Sequence, residues 1–253
     1  MIEKISSCVE IFTLNERSDV MPAADAFING KILLIKVGPV FSFIMNPYIE
    51  GLKEKFNYLK ERNKWQLLSA VCTYEQAKRI VDVDRINEDF FRISAYVCGK
   101  VIVRIPVDAT VPLPFPLNQT DGTTQFLDFT EAHPIRSAFT EELAARGCEY
   151  ISITSGNISG APTIDDLESA KQLAVLFNLK ASFLGMDDAQ TAIVDIPGDG
   201  GAHKGSYTIL SFCNPEAVEV KRLTNMGDRE FTDRYLKELL TDVRFKTPLV
   251  YAL

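Results

Sequence analysis

The chain has 253 residues, 46% hydrophobic and 24% charged, enough for a real core and unlike a disordered composition. Lysine and arginine number 27 against 34 aspartate and glutamate, a formal net charge of -7, which argues against a broad nucleic-acid-coating surface because such binding rests on neutralising phosphates. Five scattered cysteines (Cys8, Cys72, Cys98, Cys148, Cys213) form no CxxC pair, so neither a zinc site nor a disulfide framework is signalled, and the buried reduced thiols of a cytoplasmic protein are expected.

The N-terminal stretch MIEKISSCVEIFTLNERSD carries early acidic residues and no apolar run of signal-peptide length. No window approaches roughly 18 uninterrupted apolar residues, so no membrane span is expected. Residues 31–35 (KILLI) read as a buried strand. Asn46-Pro47 reads as the N-cap and first residue of a helix whose Ile49, Leu52, Phe56 and Leu59 share one face. That helix ends in a basic cluster, Lys60-Glu61-Arg62-Asn63-Lys64. Residues 66–72 read as a strand, and Thr73 with Gln76 forms a capping box for a short helix over 74–82. A strand is expected over 100–106, then a loop over 107–123 kept irregular by Pro112, Pro114 and Pro116.

Residues 134–146 read as a helix with Ile135, Phe139 and Leu143 on one side and Gly147 at its end. A strand over 149–154 follows and runs into Thr154-Ser155-Gly156-Asn157. Thr163 is expected to cap a helix that turns Leu167, Ala170, Leu173, Ala174 and Phe177 inward. Further strands are expected at 181–185, 191–196, 207–213 and 218–223, with a glycine-rich loop at 197–205 and a last helix over 229–242. Strands and helices interleave without βαβ regularity, which predicts an α/β fold with a mixed sheet.

The stretch YISITSGNISG (150–160) raises the functional question, because an alternating apolar run stops in a cluster of short hydroxyl and amide side chains bracketed by glycines. A strand–loop–helix with glycine at the bend lets backbone N–H groups approach a phosphate. The same residues also suit a turn that satisfies its own backbone. Lys60 and Arg62 suit two anionic oxygens, or simply the negative end of their helix. The loop 197–205 is not a P-loop, because Lys204 is followed by Gly205-Ser206. His133 and His203 are the only histidines, a poor basis for metal ligation or a triad. No GxSxG occurs. Asp165-Asp166 offset a helix dipole.

On these residues a family resemblance rests. ITSGNISG resembles the TSANxSG signature of the YrdC/Sua5 family, which makes L-threonylcarbamoyladenylate for a tRNA modification. Lys60-Glu61-Arg62 ahead of Leu67-Leu68-Ser69 resembles the family's KxR pair. Thr191-Ala192-Ile193-Val194-Asp195 resembles its STVVDL strand, and VKRLTNMG (220–227) its arginine-bearing strand before a glycine turn. The resemblance implies an α/β fold, a YrdC-like twisted mixed β-sheet with flanking helices and a concave nucleotide pocket, over 1–227, with 228–253 as a C-terminal helical extension bearing Phe231, Tyr235 and Leu239.

It also implies a nucleotidyltransferase of the threonylcarbamoyl-AMP synthase type. ATP, bicarbonate and an amino acid or amine would give an N-carbamoyl-adenylate and pyrophosphate, with Mg2+ accompanying ATP and a downstream transferase as a further partner. Lys60 and Arg62 would be the catalytic phosphate-holding pair. Thr154, Ser155, Asn157, Thr191 and Arg222 would join them in nucleotide binding, and Val37, Pro39 and Phe41 would contact the acceptor.

The chain departs from the pattern in places. Lys36-Val37-Gly38-Pro39-Val40-Phe41-Ser42-Phe43 stands where the family has PTDTxYGL, so both threonine hydroxyls are gone and Phe41 replaces a tyrosine. An apolar group does not recreate a hydroxyl's recognition of a hydroxyl. Asp128 stands where an arginine is expected, with Arg136 and Arg104 as candidates to compensate, and no PGPxT-type element surrounds Cys98-Gly99-Lys100. The departures support an alternative expectation, a catalytically degenerate module that binds a nucleotide, RNA or a partner.

Overall fold

The computed structural model describes residues 9–222 and 245–251, apart from 39, 64–65, 67, 93–98, 100, 115–116, 118–120, 129–132 and 200–206. In chain order the first elements are β1 (Ile11–Thr13), α1 (Val20–Ile28), β2 (Ile32–Val37), β3 (Val40–Met45), α2 (Leu52–Leu59), β4 (Ser69–Val71), α3 (Tyr74–Ile80), β5 (Ile102–Pro106) and β6 (Thr123–Leu127). There follow α4 (Pro134–Ala145), β7 (Ile151–Ser155), α5 (Leu167–Phe183), β8 (Thr191–Asp195), β9 (Ile209–Asn214), β10 (Ala217–Arg222) and β11 (Leu249–Tyr251). They fall into two compact units, Met1–Leu68 with Thr130–Lys204, and Ser69–Phe129 with Gly205–Leu253.

The first unit has the strand order β1-β8-β2-β3-β7. Strands β1, β8 and β2 run parallel, and β3 is antiparallel to both β2 and β7. Every residue of β3 is buried, and in β2 only Lys36 is not, so both faces of these strands are covered. On one face Ile32, Leu34, Phe41, Phe43 and Met45 pack with Leu52, Phe56 and Leu59 of α2 and Ala170, Ala174, Phe177 and Ala181 of α5. The Phe43 ring stacks on Phe177 at 4.8 Å and meets Phe56 edge-on at 5.2 Å.

The second unit has the order β4-β6-β5-β9-β10-β11, also mixed. Parallel pairs β4–β6, β5–β9 and β10–β11 alternate with antiparallel β5–β6 and β9–β10. Phe90 anchors its core between Tyr74, Phe91 and Phe212.

The expected mixed α/β architecture is present, with several elements displaced. The helix expected to open at Asn46-Pro47 begins at Leu52. Asn46 instead accepts the Tyr48 amide through its Oδ1 at 3.0 Å, and Gly51 at φ 76° reverses the chain before the helix starts. Asp166, not Thr163, caps α5, its Oδ1 taking the Ser169 amide at 2.8 Å. The strand expected at 181–185 is the last turn of α5, because Ala174, Phe177 and Ala181 continue the helical spacing into the core and Gly185 at φ 67° ends it. The Thr73–Gln76 capping box forms as expected. Strands β1, β3 and β6 and helix α1 had no counterpart in the periodicity.

The expected helix 229–242 and the expected boundary at 227/228 lie outside the described residues. The described tail belongs to the second unit and ends in β11, a strand. No helix among the described residues is long and apolar enough to cross a membrane. Cys72, Cys148 and Cys213 are free thiols, and burial pushes the Cys148 thiol up to about 12.

Candidate nucleotide site

The KxR spacing is explained by how α2 ends. Lys60 is the C-cap, and Glu61 takes the left-handed conformation (φ 59°) usually left to glycine. The Glu61 amide then donates to Tyr58 O at 3.1 Å and the Arg62 amide to Asn57 O at 2.8 Å, the paired bonds of a Schellman ending. This reversal buries Lys60 and leaves Arg62 facing the end of β7. The Glu61 carboxylate, unable to face the same way, pairs with Lys180 at 2.5 Å.

Lys60 is 0% exposed. Its Nζ donates to the Ser155 carbonyl oxygen and lies over two rings, 5.3 Å from the Phe43 centroid and 5.8 Å from that of Phe56. None of these partners is an anion. Burial first, and then the Arg62 charge, hold its pKa well below the ordinary lysine value. Arg62 donates from Nη1 to Thr154 Oγ1 at 2.9 Å and from Nε to Ser159 Oγ at 3.4 Å.

Gly156 follows β7, and its amide donates to the Phe41 carbonyl at 2.9 Å. A Cβ here would stand 2.5 Å from that oxygen, so glycine is required by close approach and not by its φ. Ser155 Oγ donates to Asn157 Oδ1 at 2.7 Å, and Asn157 Nδ2 donates to Ala161 O at 2.5 Å. Both meanings of the stretch therefore hold. Its amide and hydroxyls satisfy their own loop, while its carbonyl and Thr154 hydroxyl meet two cations that arrive from another element.

Of the expected site residues, Lys60, Arg62, Thr154, Ser155 and Asn157 come together in the first unit. Thr191 does not join them. It pairs with Ile32, and Ile32 lies level with Met45 and Ser152, whereas Ser155 is level with Ser42 and Ile35. Thr191 thus opens β8 at the opposite end of the parallel strands from Ser155, on the order of 15–20 Å away. Its amide is taken by Asn178 Oδ1 at 2.6 Å, and its buried hydroxyl has no hydrogen-bond partner. Val37 and Phe41 are buried, and Val37 pairs with Val40, so a tight hairpin occupies the place where the resemblance implied a substrate-holding loop. Pro39 lies outside the described residues.

Arg222 ends β10 in the second unit and donates from Nε and Nη2 to the Tyr207 carbonyl, at 3.2 and 2.9 Å. Burial pulls its pKa down. The proposed compensation for Asp128 does not come from Arg104, which pairs with Asp121 at 2.5 Å. Asp128 itself accepts the Tyr74 amide. Arg136 forms a buried pair with Asp199 at 3.3 Å, and Asp199 also accepts the Gly38 amide at 3.2 Å. His133 caps α4 through Nδ1, and His203 lies outside the described residues. The Phe43 and Phe56 rings under Lys60 were not foreseen, because core aromatics carry no sequence sign of a cation above them.

Neither the known family models nor the curated proteins match this sequence. Solved structures do. Sua5 of P. abyssi is 17% identical at a TM-score of 0.65, over 94% of this chain and 64% of that one. The same protein complexed with L-threonine superposes at 0.62. YciO of E. coli is 15% identical at 0.62, over 88% of this chain and 99% of that one. This is the YrdC/Sua5 fold. Full-length HypF, solved in a phosphate- and nucleotide-bound form, matches at 20% identity and a TM-score of 0.59, over 80% of this chain and 28% of that one. This chain thus spans about 64% of the Sua5 chain's length, and at these identities the YrdC/Sua5-like likeness establishes the fold.

Proposed function

We propose that this YrdC/Sua5-like chain is an enzyme that binds ATP at the Lys60–Arg62 cradle and makes an N-carbamoyl-adenylate. The observation that carries the proposal is Lys60, a fully buried ammonium whose described partners are a carbonyl and two rings. Burying a charge with no counter-ion costs several kcal/mol, on the order of the penalty for one ion in a protein interior. An arriving phosphate oxygen would offset that cost. HypF, of which this chain spans 28%, is solved in a phosphate- and nucleotide-bound form, and Sua5 is solved complexed with L-threonine, and both are in keeping with this reading.

The chemistry asks for positioning and charge neutralisation. The acceptor nitrogen bonds to the carbon of bicarbonate, with loss of water, to give a carbamate. A carbamate oxygen attacks the α-phosphorus, and the bond to the β,γ-pyrophosphate breaks. Lys60 and Arg62 would hold the phosphates through the charge build-up, and no covalent enzyme intermediate is required. Mg2+ would accompany ATP on the triphosphate and offset its charge there.

Threonine is disfavoured as the acceptor, since Val37 and Phe41 offer no side-chain hydroxyl. The same absence favours a second reading, a nucleotide-binding module without chemistry. One experiment separates the two. The protein is titrated with MgATP by calorimetry, then incubated with MgATP, bicarbonate and a panel of amino acids and amines while pyrophosphate is followed. Release that needs both bicarbonate and one acceptor supports the synthase. Heat without release supports the module, and no heat overturns both.

A further inference from the structure

The residue between the two cradle cations is held in a strained conformation. Among the described residues Glu61 is the one non-glycine residue at positive φ, 59°. Glycine takes that conformation freely, whereas a Cβ disfavours it. The left-handed turn therefore needs an anchor, and α5 supplies one from 119 positions along the chain. Lys180 Nζ donates to Glu61 Oε1 at 2.5 Å and to the Leu59 carbonyl oxygen at 3.2 Å. Leu59 is the last residue of α2, so its carbonyl is one of the orphan acceptors of a helix end. One ammonium thus caps the helix and grips the residue that turns the chain out of it.

The bonds on either side of Glu61 tie this turn to the cradle. Before it, the Ser159 amide donates to Lys60 O at 3.4 Å and Lys60 Nζ donates to the Ser155 carbonyl. After it, Arg62 Nη1 donates to Thr154 Oγ1 at 2.9 Å. Rotation at residue 61 would swing Arg62 away from the end of β7 while Lys60 stayed behind. The direction of the carboxylate matters as well. Glu61 is the sequence neighbour of both cations, so its carboxylate is a ready competitor for any anion they bind. Lys180 engages that carboxylate on the α5 side instead. The two side chains are 30% and 61% exposed, so the pair adds little to folding stability, and its consequence is geometric.

Resting on the nucleotide assignment above, we infer that Lys180 is a positioning residue for the Lys60–Arg62 pair. It holds Glu61 in the left-handed turn and keeps the Glu61 carboxylate off the two cations. It makes no contact with the phosphates and acts only through residue 61. The effect of Lys180 is therefore conditional. It matters while a glutamate stands at 61, and it ceases to matter once a glycine, which turns unaided and brings no carboxylate, stands there.

The test is a double-mutant cycle on the whole chain, with Lys180→Met, Glu61→Gly and the two combined. MgATP affinity is measured by calorimetry. The titration of Lys60 Nζ is followed separately by lysine side-chain NMR, assigned with Lys60→Met, and this readout needs no nucleotide. Lys180→Met should weaken MgATP binding at least about fivefold, the order set by one unsupported left-handed residue. It should also move the Lys60 titration up toward the ordinary lysine range. Glu61→Gly should bind MgATP within about twofold of the unaltered protein, and adding Lys180→Met to it should cost less than about a further twofold.

Equal losses from Lys180→Met in both backgrounds would overturn the inference by making Lys180 a general tie between α2 and α5. No loss in the glutamate background would overturn it by making the pair an ordinary surface contact. If the unaltered protein takes up no MgATP, the nucleotide assignment falls and the Lys60 titration decides alone. A rise in Lys180→Met that disappears in the Glu61→Gly background upholds the positioning role, and an unmoved titration overturns it. Should Lys180→Met not fold, Lys180→Gln enters the same cycle.

Discussion

The two units each bury a charge, and they treat it in opposite ways. In the second unit the Asp89 side chain is fully enclosed and fully served. Its oxygens accept the Lys246 amide at 2.9 Å, the Thr247 amide at 2.9 Å and the Thr247 hydroxyl at 2.8 Å, and Arg92 pairs with it at 2.7 Å. Asn87 beside it takes up the Asn214 and Pro215 carbonyls, so the pair fastens the segment that leads into β11. In the first unit Lys60 is just as enclosed, yet among the described residues its ammonium meets only a carbonyl and two rings. A buried charge whose partners are built into the chain is architecture. A buried charge without an opposite charge raises the free energy of the empty protein and lowers it when an anion arrives.

The largest expected effect breaks this contrast from the cradle side. Lys60→Met should lower MgATP affinity at least about 100-fold, the order expected for losing a buried charge-assisted contact. It should also raise the melting temperature of the free protein, because an unpaired ammonium is replaced by an apolar chain of similar length. Calorimetry and a thermal melt on the same sample test both, and a variant that binds normally or melts lower refutes the assignment. The pH dependence has a definite sign. Because the folded pKa of Lys60 lies below the unfolded value of 10.5, the unfolded chain holds the extra proton between the two. Stability contributed by this group therefore rises with pH through that window and is lost as pH falls through the folded pKa. The difference between wild type and Lys60→Met melts, taken across alkaline pH, should show this slope.

From the other side, Asp89→Ala should cost about 2–4 kcal/mol in denaturant unfolding, since it strands buried donors, while the MgATP affinity of the folded fraction stays within about twofold. Desolvation pushes the Asp89 carboxyl up, but the hydrogen bonds from Lys246 and Thr247, with those from Arg92, outweigh it and leave its pKa lowered from 3.8. Its contribution is thus present above the unfolded value and fades as pH falls through the folded one.

Gly156→Ala should destabilise by roughly 1–3 kcal/mol, because the added methyl meets the Phe41 carbonyl and one of the two must shift. It should weaken nucleotide binding in step, since the Ser155 carbonyl moves with the loop. The smallest effect is expected for Thr191→Val. With Thr191 at the far end of the strands, MgATP affinity should change less than about twofold, and stability should be unchanged or slightly higher after loss of an unpartnered hydroxyl. A large loss of affinity would restore Thr191 to the site.

Residues that act through local chemistry were legible. The capping box at Thr73–Gln76, the buried face of α2 and the glycine bend after β7 all follow from neighbours a few positions away. Thr191 was misplaced because a strand motif gives the order of residues but not which end of the sheet a position occupies. That is set by register against β2, more than 150 residues earlier in the chain. The 181–185 segment was misread because a short apolar run does not distinguish a strand from the end of a helix. Its neighbours in the core decided it.

By itself the sequence determined the mixed α/β class, the basic cluster that ends the helix at Lys60–Arg62 and the Thr154–Asn157 bend, because each is a matter of local pattern and side-chain type. Only the tertiary structure decided that Lys60 is buried with no counter-charge among the described residues, that Asp89 has one, and that Lys36 stands over Phe41, the next ring of the same strand. Charge, burial and aromatic faces are brought together there by segments far apart in the chain, and no spacing along one segment records the meeting.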